Sequence, residues 1–243
     1  MSHTRKRMWL LKTMPRALRF VRLAASCVPV RWVFATVSIV TITIWMLPRP
    51  LAEDVIRENG IVETATVGLY LLATASMLPA KRGTSWRVRT GVAFLLLLFA
   101  LRELDFNRRF TSGPLDHGVL YFVRHDVPDE EKILVGCVFV VLAGILIWVF
   151  RALYKPFVNA AKARKPYLLP VVAGLVIIPV SQVFDESGHL LKRLDEPLSN
   201  LGWLLNIIAE VLEMGLALLM LVSVLMFHRD HLEMRQRETT QKQ

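Results

Sequence analysis

Apolar residues in this chain come in long unbroken blocks rather than at the alternating or three-and-four spacing of a soluble domain. Six such blocks, at about 32–48, 61–80, 90–106, 133–154, 167–185 and 201–227, approach the ~20 residues a helix needs to cross the hydrocarbon of a bilayer. Blocks three and five are short, so their charged ends must reach the interface. Pro170 and Pro179 interrupt block five and are expected to kink it, because proline removes a backbone donor. The pattern predicts an all-α, polytopic membrane helix bundle with six transmembrane helices.

Three divisions follow. Residues 1–31 form a basic amphipathic segment with eight Lys or Arg and no acid, suited to an anionic cytoplasmic leaflet. It does not read as a signal peptide, since the small residues Ala24-Ala25-Ser26 precede the apolar run. Residues 32–227 are the six-helix transmembrane domain. Residues 228–243 form a polar tail, expected to be disordered.

Composition sharpens this picture at one point. The 243 residues are 54% hydrophobic and carry a formal net charge of +10, with a mean hydropathy of +0.44. In a soluble protein that charge would suggest nucleic acid. Here its placement gives another answer: with the N-terminus inside, 21 Lys and Arg fall on the cytoplasmic side and eight outside, with Arg102 at a helix end. Seventeen of the 20 acids fall in the outer half. This positive-inside bias puts both termini in the cytoplasm and makes the lipid bilayer, not nucleic acid, the partner. Cys27 and Cys137 form neither a disulfide framework nor a metal spacing.

The candidate chemistry is a layer of acids under the outer interface. Glu63 opens block two; Arg102, Glu103 and Asp105 close block three; Asp185, Glu186 and His189 close block five. Glu210 and Glu213 lie roughly 5–9 Å below the outer boundary, at 1.5 Å rise per residue. Asn59, Glu63, Thr66, Tyr70 and Thr74 form one polar stripe, Gln182, Asp185 and His189 a second, and Asn206, Glu210 and Glu213 a third. Residues at such spacing share a helix face, and lipid cannot satisfy them, so the faces should point inward. Four helices would then line one outward-opening pocket.

Seven carboxylates against one fixed cation, Arg102, imply raised pKa values or a bound cation, unless Lys192, Arg193, Arg108 and Arg109 fold in from the loops. Oxygen-rich ligands with one histidine favour a hard divalent cation such as calcium, magnesium or manganese, or a proton relay. In this reading Glu63, Glu103, Asp105, Asp185, Glu186, His189, Glu210 and Glu213 are the metal or cation ligands, and Arg102 orients them. The expected activity is binding of a cation or cationic ligand, with ion-coupled transport as its use. One alternative is a metal-dependent enzyme acting on lipid head groups, with Glu210 or Glu213 as general base and His189 as acid or ligand. Another is a structural or assembly subunit. Below Thr74 and Glu213 the inward halves are almost wholly apolar, which speaks against a through-path. The Leu115–Val123 stretch is a candidate interfacial helix over the pocket.

Blocks two and six also align without gaps from Glu63 and Glu210, with Gly68/Gly215 and Ser76/Ser223 among the identities. Such a match would place two glutamates across one site in a parallel repeat. Glu58-x-Gly60-x-x-Glu63, Arg102-Glu103-Leu104-Asp105 and Glu210-x-x-Glu213 together resemble features of small uncharacterised multi-pass bacterial inner-membrane proteins. That resemblance implies a bacterial inner-membrane location and no mechanism.

Overall fold

A computed structural model describes residues 28–57, 60–78, 85–104, 106, 111, 121–122, 127–192 and 196–240; side chains at 196–197 and 233–239 are outside the description. The described residues are all-α. The helices are α1 (Val28–Met46), α2 (Arg49–Ile56), α3 (Ile61–Met77), α4 (Trp86–Glu103), α5 (Asp129–Lys162), α6 (Leu168–Leu191) and α7 (Glu196–Thr240).

Five stretches are long and apolar enough to cross a membrane: α1, the Arg49–Met77 stretch that ends in α3, α5, α6 and Leu198–Leu232 of α7. Block three is helical, as α4, but is not one of the five. Arg87, Arg89, Arg102 and Glu103 put four ionisable groups into its 18 residues. One boundary needs correction. The helix of block six does not stop at Phe227 but continues to Thr240, because Leu232, Glu233, Met234, Arg235 and Gln236 are good helix formers. Block five is continuous through Pro179. Pro170 sits in its first turn, where a missing N–H would have had no partner anyway. The short α2 had no counterpart in the apolar pattern. Residues 1–27 lie outside the described residues, as do Asn59, Asp105 and all of Leu115–Val123 except Tyr121 and Phe122.

The chain divides into two compact units, one ending at Ile56 and resuming at Arg164, the other spanning Arg57–Ala163. The first contains α1, α2, α6 and α7. Its main contact is α6 against α7, and α1 packs on α7 as well. Glycine permits both: a Cβ at Gly202 would stand 2.7 Å from the Gly188 carbonyl oxygen, and one at Gly215 would stand 2.6 Å from Val37. Backbone therefore touches backbone near the α6–α7 turn.

The second unit packs α3 on α4 and α4 on α5. Tyr70 stacks on Phe99 with centroids 5.5 Å apart, and Gly91 lets Val149 and Leu153 approach. α5 starts with Asp129, Glu130 and Glu131 in its first turn, where carboxylates favour the helix dipole. The Tyr121 hydroxyl donates to Glu131 at 2.5 Å; burial and that carboxylate push its pKa up to about 12.

Candidate functional site

The acids of the expected layer divide between the two units. Glu63 and Glu103 belong to the second, with Arg102; Asp185, Glu186, His189, Glu210 and Glu213 belong to the first. Two stripes do face inward. Thr66 and Tyr70 of α3 are buried, with Glu63 and Thr74 half-buried beside them. Asn206 of α7 is buried, and Glu210 and Glu213 are half-buried. The α6 stripe is less enclosed: Asp185 is half-buried, while Gln182, Glu186 and His189 are exposed. On α3, Thr66 and Thr74 donate to the carbonyls of Val62 and Tyr70, each at 2.8 Å. Their hydroxyl protons are therefore used within their own helix.

In the first unit a defined cluster forms at the α6–α7 turn, around Lys192 and Trp203. Lys192 caps the C-terminus of α6 and donates its backbone N–H to the Gly188 carbonyl. Its ammonium lies over the Trp203 ring, 5.2 Å from the centroid. The Arg49 guanidinium of α2 lies over the same ring at 5.8 Å. Such distances are within the range at which a cation is attracted by an indole face. With the Asn206 amide turned so that both its ends find complementary partners, its oxygen accepts from Lys192 Nζ at 3.0 Å. Its nitrogen then donates to the Gly202 carbonyl at 3.2 Å.

Carboxylates on three helices act on this cation at longer range. Burial pushes the Lys192 pKa below the ordinary lysine value; Asp185, Glu53 and Glu210 pull it upward, and Arg49 lowers it further. Glu53 is also 3.8 Å from Arg49, and Asp185 is 3.5 Å from His189 Nε2. Helices α2, α6 and α7 thus each contribute a carboxylate to one cationic centre. Among the described residues, the cations beside the acids of this unit are Lys192 and Arg49; Arg102 belongs to the other unit and is exposed on α4.

Sequence spacing contained part of this answer. Lys192 follows His189 by three residues and so continues the Gln182–Asp185–His189 stripe. Trp203 precedes Asn206 by three and continues the Asn206–Glu210–Glu213 stripe. Both had the right period; Lys192 was expected only as a loop residue that could fold in, and Trp203 only as part of an apolar block. Arg49 and Glu53 carried no comparable signal, because α2 is too short and too polar to register as a block.

Among the described residues, no three His, Cys, Asp or Glu side chains are gathered so as to hold a metal ion. The donor set that is present, an aromatic face with an amide oxygen and scattered carboxylates, suits an ammonium better than a divalent metal, which needs several oxygens at 2.0–2.6 Å. At the opposite end of α6 and α7, Lys165 Nζ pairs with Asp230 at 2.8 and 3.1 Å. Beside it the Ser223 hydroxyl donates to the Tyr167 carbonyl at 2.7 Å. Burial raises the Tyr167 pKa, and Asp230 adds to the rise. Comparison of the chain with protein-family models, with curated proteins and with solved structures gave no match.

Proposed function

We propose that this chain is a six-crossing membrane protein of the bacterial inner membrane, with both termini in the cytoplasm, and that its outer face carries a binding site for an ammonium-type cation. The charge asymmetry of the loops supports the topology. The observation that carries the binding reading is the setting of Lys192: an ammonium 5.2 Å above an indole ring, bonded to an amide oxygen and attracted at longer range by Asp185, Glu53 and Glu210.

Lys192 stands where an external cation would sit. Among the described residues, three carboxylates, Asp185, Glu53 and Glu210, attract the Lys192 ammonium, while burial and Arg49 oppose it. A ligand bearing a primary or secondary ammonium competes with the lysine for the same ring, amide and acids. Binding is one-sided, since α7 below Glu213 is apolar apart from Ser223 as far as Phe227, and Ser223 is bonded to the Tyr167 carbonyl.

Vacating the lysine tests this reading. In detergent-purified Lys192→Ala, millimolar ethylammonium should raise the thermal midpoint by several degrees, while equal sodium or magnesium should not. Adding Glu210→Gln should abolish the effect. A Lys192→Ala protein indifferent to ethylammonium would leave the second reading, a purely structural clamp on the α6–α7 turn. The near contact of Gly188 and Gly202 favours that alternative.

A further inference from the structure

We propose that the C-terminal third of α5 is a docking surface for anionic phospholipid head groups. At ~100° per residue, Phe150, Tyr154 and Phe157 fall within about 60° of one another on the helix. All three are exposed, at 69%, 57% and 39%, and the Phe150 and Tyr154 rings lie 5.9 Å apart. Arg151, Lys155 and Lys162 occupy a second sector about 40° wide, next to the aromatic one, and all three are exposed. Buried Val149 and Ala160, with Leu153, form the third sector. Val149 and Leu153 meet α4 at Gly91.

The three sectors therefore have separate duties. One packs against protein, one offers aromatic rings, and one offers cations.

Position along the helix identifies the partner. Ile133–Phe150 spans ~27 Å at 1.5 Å per residue, close to the ~30 Å of hydrocarbon. The aromatic and basic sectors consequently begin where head groups begin, the level at which aromatic rings settle. No Asp or Glu occurs between Glu131 and Asp185, so nothing along α5 after its first turn neutralises the cations. Phosphate on a net-anionic lipid complements them, whereas a zwitterionic head group carries its own ammonium. This inference requires only that α5 cross the membrane; it is independent of the Lys192 site and of which leaflet α5 reaches.

Native mass spectrometry of the full-length protein, released from bilayers of equal phosphatidylglycerol and phosphatidylcholine, reads the preference directly. Wild type should retain phosphatidylglycerol at least tenfold over phosphatidylcholine. Arg151→Gln with Lys155→Gln and Lys162→Gln should reduce that ratio towards one, and Lys155→Gln alone should reduce it by a few-fold. The charge-conserving set Arg151→Lys, Lys155→Arg and Lys162→Arg should keep it. An unchanged ratio in the triple Gln variant, or no preference in wild type, overturns the proposal. Loss of the preference in millimolar inorganic phosphate would overturn it too, by assigning the cations to the free ion.

Discussion

At the end formed by the α6–α7 turn, the Lys192 ammonium is shared among an indole ring, an amide oxygen and carboxylates from three helices; at the other end of the same helix pair, Lys165 is held by one carboxylate, Asp230, at 2.8 Å. The Lys165 arrangement is a short, directed, partly enclosed ion pair, with side chains 27% and 20% exposed. Its geometry fixes where α6 begins along α7, and the Ser223–Tyr167 bond repeats that constraint about two turns away along α7. The Lys192 arrangement fixes no single partner. Redundant, longer-range attraction tolerates loss of one member. One end of the pair is a directed joint, and the other is the end proposed as a binding site.

The backbones differ in the same sense, and here the largest effect is expected. A Cβ on Gly202 meets main-chain atoms, Gly188 O at 2.7 Å and Lys192 N at 2.8 Å; one on Gly174 meets only the tips of Met220 and Leu216. Main chain cannot rotate away, whereas Met and Leu can change rotamer. Gly202→Ala should therefore cost roughly 1–3 kcal/mol of stability, seen as a lower thermal midpoint in detergent. Gly174→Ala should cost under about 1 kcal/mol, because the gain in helix propensity offsets part of the repacking. Equal losses at the two positions would erase the distinction.

Removing each lysine in turn sharpens the contrast further. Lys165→Met leaves Asp230 half-enclosed beside the Tyr167 ring and should cost about 1–2 kcal/mol. Lys192→Met should cost less than about 1 kcal/mol, since the acids it leaves are divided among three helices and shared with Arg49. Thermal unfolding of the two variants side by side measures the difference. A larger loss for Lys192→Met would make its cluster the structural joint and remove the case for a ligand.

Much of this was legible in the sequence because the hydrophobic blocks obey a simple length rule. α1, α3, α5, α6 and α7 all lie where apolar runs placed them. The inward direction of the α3 and α7 stripes followed from period alone: Thr66, Tyr70 and Asn206 are buried as the spacing required. Tertiary neighbours were not legible. Gly68 and Gly215 occupy matching positions in the aligned blocks, yet Gly215 is pressed by Val37 while nothing lies within 4 Å of a Cβ at Gly68. The same letters serve a close crossing in one helix and an open face in the other. The pairing of Lys192 with Trp203 was not legible for a related reason. A lysine past a helix end and a tryptophan inside an apolar run each look ordinary until both are known to face the same turn.

The smallest effect separates the two ends by pH, and its sign is opposite at each. Burial lowers the Lys192 pKa below its unfolded value of 10.5, so between the folded and unfolded values the unfolded chain binds more protons. Stability contributed by this group therefore rises with pH up to about 10.5. At the other end, burial and then Asp230 raise the Tyr167 pKa above 10.0. Its contribution is complete below pH 10 and declines as pH climbs through the raised folded value, because the unfolded phenol ionises first. Unfolding midpoints of wild type from pH 8 to 10 should drift upward relative to Lys192→Met, and those of Tyr167→Phe should fall less than wild type above pH 10. If the Lys192→Met curve parallels wild type below pH 10, desolvation of the ammonium does not outweigh the attraction of its ring, amide and acids.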